Sequence, residues 1–361
     1  MFNLYRKMWA AIGFVLCLFN VVYAYSDGNG TPAEPYQIAS VSDWNDLMNC
    51  PNDWDKHFIL IADINLQGVS LTPVGDYTSP NYKTFTGVFD GDGYIIYNAI
   101  INGSTNVGLF GRTGATGLGG QIFNLGVEDI NIAATSIYVG GLVGRNYGTI
   151  SGCYVTGKIT GTTNYVGGIV GGNYGSIIDC FSTGAVSGSN YTGGLIGSNS
   201  DSASDVNTCY STGVVTGGGS YVRGLVGYNY GDVNDSFWDV NTSGRTTSGG
   251  GIGKTTAQMQ DINTFLNAHW DFLGETANGT NDTWRMCVNG LYYPKFYWQF
   301  LLGDFACPDG VNFVDFAWLA QWWLRIDCNL NNDCDGTDIY KDGTVDFLDL
   351  AVFTENWLEG Q

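Results

Sequence analysis

Charge is scarce in this chain of 361 residues, and positive charge is scarcest: 34 Asp plus Glu stand against 14 Lys plus Arg, and only 13% of residues are charged. A formal net charge of −20 repels phosphate and leaves no basic patch to release counterions, which excludes the usual modes of nucleic-acid binding and of attraction to anionic membranes. There are two histidines and no CxxC spacing, so the cysteines do not read as a zinc-type site. Glycine is abundant instead, at 53 residues, beside 44% hydrophobic residues. That composition excludes disorder and points to a folded, turn-rich chain. The length suits two or three domains, or one elongated repeat domain with appendages.

Residues 1–24 read as a secretory signal peptide. Arg6 and Lys7 precede the apolar run from Met8 to Leu18, and Val22-Tyr23-Ala24 puts a small residue at the cleavage point. Asn20 breaks the run short of the ~20 residues a membrane span needs. Leu16 stands before Cys17, where a lipoprotein box wants a small residue. The expectation is a secreted, extracellular or surface-associated protein with no membrane insertion after signal cleavage. Export also permits disulfides.

The middle of the chain repeats itself. Gly140-Gly-Leu-Val-Gly144, Gly167-Gly-Ile-Val-Gly171, Gly193-Gly-Leu-Ile-Gly197 and Arg223-Gly-Leu-Val-Gly227 recur at intervals of 27, 26 and 30 residues. A tyrosine precedes each block (Tyr138, Tyr165, Tyr191, Tyr221), Asn-Tyr-Gly follows three of them, and Cys153, Cys180, Cys209 and then Ser236 close the period. Short β-branched runs cut by Gly, Asn and Ser predict two or three strands per repeat. One repeat cannot bury its own apolar face, so stacked copies must share a core, with Val143, Val170, Ile196 and Val226 in one column and the cysteines as small buried fillers in another. The fold class expected is mainly β: a right-handed parallel β-helix with capping elements, followed by a small α-helical module. Residues 25–107 form the N-terminal cap and first coils, 108–240 the repeats, 241–298 the C-terminal cap and 299–361 the module. Ser42 is the expected cap of a short N-terminal helix carrying Trp44 and Leu47, and Thr255 or Thr256 starts a helical pattern after the repeats.

The glycine blocks with Asn-Tyr-Gly, the earlier Gly87-Val-Phe-Asp-Gly91, and the closing Phe237-Trp-Asp239 with Thr242-Ser-Gly244 resemble GLUG-motif proteins over residues 36–298. The resemblance implies a secreted or surface β-helix protein, adhesin-like in some members, with no shared catalytic residues to carry over.

From Gly303 onward acidic residues concentrate, and residues 311–324 align without a gap with 345–358, 34 positions on. The second copy places Asp338, Asp342, Asp346 and Asp349 at loop positions 1, 5, 9 and 12, Gly343 at 6 and the Thr344 carbonyl at 7, which suits a calcium loop. The first copy offers Asp304, Asn312 and Asp315 with a displaced Asp309, while Ala306 and Pro308 stand where oxygen donors belong. Two such loops, each followed by a helix, resemble a type I dockerin over about residues 303–360. That resemblance implies an EF-hand-type module that binds calcium and docks on a cohesin-like domain or cell-surface scaffold. At loop positions 10 and 11 stand the apolar pairs Phe313-Val314 and Phe347-Leu348, which read either as partner contacts or as core between the helices. Cys328 and Cys334 can close a small disulfide loop, with Cys307 as the competing partner.

Three functions remain open. A polysaccharide-degrading hydrolase needs two carboxylates on one face, and Asp179 and Asp235, each just before the cysteine column and two coils apart, are the pair in register. A lyase would need a base, and Arg145, Lys158 and Arg223 fall at unlike repeat positions. A binding or adhesion protein would use the column Tyr138, Tyr165, Tyr191 and Tyr221, which facing outward is a stacking track for a polysaccharide and facing inward is core. The third reading is a purely structural surface-layer component. The expected function is non-catalytic binding or adhesion.

Overall fold

The computed structural model describes residues 25–75, 83–115, 119–273, 282–307, 310–328, 334 and 336–357. The expected signal peptide, Pro308 and Asp309 lie outside the described residues.

The repeats build a parallel β-solenoid. Hydrogen bonds link equivalent short strands into sheets of eight, four, five and eleven strands, and each keeps the spacing of the sequence repeat. Val143 pairs with Val170, Val170 with Ile196 and Ile196 with Val226, all in parallel register. One repeat supplies four strands, Val139–Gly140, Val143–Asn146, Thr149–Ser151 and Tyr154–Gly161, more than the two or three expected. The extra strands are two-residue steps, Val-Gly in the first two copies, too short to show a period-two pattern. Glycine there has a steric reason: a Cβ on Gly167 would collide with the Val170 carbonyl and with the Gly197 amide of the next coil.

Two columns set the register. Cys153, Cys180 and Cys209 are fully buried, one residue ahead of the paired Tyr154, Phe181, Tyr210 and Phe237. Each thiol donates to a carbonyl two residues back, at 3.2, 3.1 and 3.0 Å. Burial pushes the Cys153 and Cys209 thiols well above their ordinary range, so they stay neutral and inert. The second column is polar. Asn146, Asn173 and Asn199 are buried, and each side-chain amide donates to the next asparagine's oxygen, ending on Asn229, at 2.8, 2.8 and 2.9 Å. Asn146 and Asn173 also close their own turns, as when the Gly148 amide donates to the Asn146 oxygen at 3.0 Å and the Gly175 amide to the Asn173 oxygen at 3.2 Å. A buried amide so satisfied is tolerated only in this register.

At the N-terminal end, Ser40 rather than Ser42 caps the helix Val41–Asn49, and Trp44 lies edge-on to Phe89 and Phe110 at 6.0 and 6.2 Å. At the other end only a short stretch closes the solenoid. The amides of Gly224 and Gly249 bond across to Thr247 and Val226, and Ile252–Lys254 adds a strand beside Phe237–Asp239. The segment that follows is a flank cover, not the end cap expected over 241–298. After the helices Thr256–Met259, capped by Thr255, and Ile262–Leu266, it runs back along the side of the solenoid. The cause is an outward ladder of rings: Tyr154, Phe181 and Tyr210 stack at 5.0 and 4.9 Å, and so large an apolar stripe must be covered. Phe265, Trp270, Trp284 and Phe296 bury themselves on it.

Beyond the flank, the helices Phe313–Trp322 and Phe347–Glu355 enclose a small core with Val311, Leu319, Val345 and Phe353. Phe313 meets Trp357 at 5.0 Å and Phe347 meets Trp323 at 5.3 Å, both edge-on. These pairs interchange under the 34-residue shift, so the duplication survives as local pseudo-symmetry. Cys328 bonds to Cys334, and Cys307 bonds to Cys287; Cys307 therefore does not compete for Cys328.

Candidate functional surfaces

The four tyrosines form one column on the solenoid surface. Tyr138, Tyr165, Tyr191 and Tyr221 are half-buried, with successive ring centroids 5.0 Å apart and planes within 13°, 12° and 20°. Neighbouring rings cover one another's faces, so the column offers ring edges and hydroxyls along its length. Tyr165 and Tyr191 sit at φ of 57° and 44°, a left-handed conformation that costs a bulky residue about 1–2 kcal/mol. Asn or Gly would fit those corners with less strain, so the rings are kept at an expense in backbone energy.

A second set of side chains extends this face. Tyr147 and Tyr174 stack at 4.7 Å. The Arg145 guanidinium lies 4.9, 4.9 and 4.5 Å from the rings of Tyr138, Tyr147 and Tyr174, and Arg112 lies 4.4 Å from Tyr147. The hydroxyls of Tyr138 and Tyr174 meet at 3.2 Å, and burial pushes the Tyr138 phenol up. The sequence carried a signal for this set, because Tyr147 and Tyr174 are the middle residues of two Asn-Tyr-Gly repeats. Arg145 looked unrepeated there, yet Arg112 pairs with it one coil earlier.

Asp179 and Asp235 belong to a column of left-handed corners. Gly152, Asp179, Thr208 and Asp235 have φ of 60°, 49°, 49° and 43°. Thr208 occupies the coil between the two aspartates and donates to Asp179 Oδ1 at 2.5 Å. The indole of Trp284 donates to the same oxygen at 3.4 Å, and that of Trp270 to the Asp235 carbonyl at 2.8 Å. Burial raises Asp179 to about 6, whereas Asp235 is exposed. Both residues thus serve the corner and the flank cover, with Thr208 on the coil between them.

The two acidic loops share a scaffold. Asp315 accepts the amides of Ala306 and Asn312 at 2.7 and 3.0 Å, and Asp349 those of Tyr340 and Asp346 at 2.9 and 2.8 Å. Asp338 accepts the amide of Gly343 at 2.8 Å, and Asp342 that of Thr344 at 3.0 Å. Asp304, Asp315, Asp338 and Asp349 are all buried. The second loop has the donor chemistry of a hard-cation site, but its carboxylates are turned onto the loop's own amides. Among the described residues, no three His, Cys, Asp or Glu converge as a metal-binding group. The first loop fits a cation poorly, since Ala306 replaces a donor and Asn312 a carboxylate. The pairs Phe313-Val314 and Phe347-Leu348 are not core: they are 76, 57, 74 and 46% exposed.

The GLUG motif matches residues 135–160 and 162–187, two coils that carry Tyr138, Asn146 and Cys153 and their counterparts. Halomucin of Haloquadratum walsbyi is 33% identical over 145 residues, covering 37% of this chain and 2% of that protein. A provisionally named Gly-rich membrane protein of Evansella cellulosilytica is 30% identical over 155 residues, covering 37% of this chain and 17% of that protein. The chain thus spans a small part of the length of these relatives. The crystal structure of a candidate immunoglobulin A1 protease from Bacteroides ovatus superposes with a TM-score of 0.57, covering 75% of this chain and 94% of that one at 20% identity. That likeness shows the fold alone. Among the described residues, no helix is long and apolar enough to cross a membrane.

Proposed function

We propose that this is an extracellular, surface-associated protein that binds or adheres through its solenoid face and is attached through its C-terminal module, without catalysis. The supporting observation is the tyrosine column. A regular row of phenols, two of them held in a strained backbone, is continued by Arg145 and Tyr174 and repeats at coil spacing, and modest contacts add along a repeating ligand. A polysaccharide is the ligand class we favour. Because ring faces are occupied by neighbouring rings, it would be held by hydroxyls and the guanidinium more than by stacking. The double variant Tyr165→Phe/Tyr191→Phe keeps the ladder and removes two hydroxyls. It should reduce retention on an insoluble polysaccharide while melting as the parent does; unchanged retention would count against the reading.

For the module we propose a dockerin-like role. Asp338, Asp342, Asp346, Asp349 and the Thr344 carbonyl would hold calcium, which would neutralise carboxylates crowded into twelve residues. The exposed Phe313-Val314 and Phe347-Leu348 pairs would then contact a cohesin-like domain or a cell-surface scaffold. EDTA added to the calcium-loaded full chain should lower the melting temperature of its C-terminal transition. If that transition does not move, the calcium reading fails.

A further inference from the structure

We infer that the polysaccharide taken by this face is an acidic one, whose carboxylate or sulfate groups are received by Arg145 in its bed of tyrosines. The inference rests on the polysaccharide reading of the tyrosine column. Arg145 occupies one column of the five-stranded sheet, where the paired positions on the other coils are Arg112, Gly172, Ser198 and Tyr228. The scaffold therefore does not require an arginine there, since glycine, serine and tyrosine serve the same register. That column runs beside the tyrosine column. The Tyr138 ring lies across Gly172, where a Cβ would come within 2.6 Å of its carbons. At the other end Tyr191 and Tyr221 meet Tyr228 edge-on at 5.7 and 6.1 Å.

Rings hold the Arg145 guanidinium: those of Tyr138, Tyr147 and Tyr174 lie 4.9, 4.9 and 4.5 Å away. Its Nε is buried without a hydrogen-bond partner, and among the described residues no carboxylate forms an ion pair with it. Aromatic faces steady a cation but give its N–H donors no strong acceptor. The surroundings supply no counter-ion. The strands Phe110–Thr113, Val143–Asn146, Val170–Asn173, Ile196–Asn199 and Val226–Asn229 carry no Asp or Glu, and neither do the turns that bear the tyrosines, 135–138, 162–165, 188–191 and 217–221. The net charge of −20 is laid elsewhere: twelve of the 34 acidic residues follow Gly303, whereas 131–200 has Asp179 alone against Arg145 and Lys158. Asp179 lies under the flank cover, bonded to Trp284. Distant acids do not oppose an anion here, because exposed charges more than ~8 Å apart are largely screened at physiological ionic strength. Hydroxyls border the cation. Those of Tyr138 and Tyr174 meet at 3.2 Å, and those of Ser198 and Ser200, on the coil paired with that of Tyr174, at 2.6 Å. A charged group on a sugar matches the guanidinium and the sugar's own hydroxyls match the border. A neutral glycan would cover an unpaired cation and lose affinity by its desolvation.

The test uses the full chain in calcium-free buffer, so that calcium cannot bridge carboxylates to the probe. Retention is compared on two acidic glycans, polygalacturonate and dextran sulfate, and two neutral ones, cellulose and galactan. The parent should be held at least about tenfold more tightly on an acidic probe than on either neutral one. Preference for polygalacturonate assigns a carboxylate, preference for dextran sulfate a sulfate. Arg145→Gln should abolish the acidic preference, and Arg145→Lys should recover part of it by restoring charge without the planar fork. Lys158→Gln removes an equal charge from an exposed position on another sheet and should leave the preference intact. Equal retention on acidic and neutral probes overturns the inference and leaves the polysaccharide reading standing, whereas retention on none of the four overturns both. A preference that survives Arg145→Gln, or that Lys158→Gln removes as well, also overturns it. If Arg145→Gln does not fold, Ser200→Asp decides, since it places a carboxylate beside the cluster at a half-buried position: acidic retention lowered at least about tenfold upholds the inference, and parental retention overturns it.

Discussion

Asp179→Asn should stabilise the protein at neutral pH. Burial beneath the flank cover lifts the Asp179 carboxyl from 3.8 to about 6, so the charged form is the one the fold disfavours. At 1.36 kcal/mol for each tenfold change, the ionised state costs at most ~3 kcal/mol, and residual solvent access reduces this to about 1–2 kcal/mol. With its folded value raised, Asp179 contributes stability that is fully present below the unfolded value near 4 and is lost as pH rises through about 6. Asparagine removes the charge and keeps the geometry. Thr208 and Trp284 both donate to Oδ1, an oxygen that asparagine retains, and asparagine tolerates the left-handed φ of 49°. Urea unfolding of parent and variant from pH 4.5 to 8 reads the effect. The curves should converge near the acid end and separate by about 1–2 kcal/mol above pH 7, with the variant the more stable. A variant that is less stable at pH 8, or a difference independent of pH, would refute the burial argument. The same pair of proteins tests the hydrolase alternative, because turnover of pectins, xylans or alginates that vanishes in Asp179→Asn would make the carboxylate catalytic.

Asn173→Ala should cost about 2–4 kcal/mol in urea unfolding, since it breaks the ladder at its middle: the Gly175 amide and carbonyl and the buried Asn199 oxygen lose their Asn173 partner, and the Asn146 amide loses one acceptor. Cys209→Ser should be tolerated within about 1 kcal/mol, because Ser236 already fills the next slot of that column and donates to the Asn234 carbonyl at 2.6 Å. Trp284→Ala should destabilise by about 3–5 kcal/mol and increase binding of a hydrophobic dye, because it opens the cover over Phe181 and Tyr210.

How much of this was legible depends on whether a residue's partner lies at a fixed distance along the chain. Within the solenoid it does. The partner of Val143 is one repeat away at Val170, so a spacing read from the letters is already a contact, and the cysteine column followed from counting. The asparagine column was present in the same repeats but reads as turn composition, because asparagine in a glycine-rich period has an ordinary role at a surface corner. Only the inward pointing of Asn146, Asn173 and Asn199 turns it into a core element. The flank cover was illegible for the opposite reason. Tyr154, Phe181, Tyr210 and Phe237 repeat as visibly as the inward valines, but periodicity cannot say that their side is outward, and the residues that cover them, Phe265, Trp270, Trp284 and Phe296, repeat with nothing. Their pairing is set by a single chain reversal after Lys254. Arg285 belongs to this class as well. Its partners, Asp304 and Phe305, lie 19 and 20 residues away across a hairpin, outside both the 27-residue period of the coils and the 34-residue period of the loops. In a repeat protein the periodic part of the sequence therefore encodes the scaffold, and departures such as Trp284 and Arg145 are where each chain's own chemistry is set.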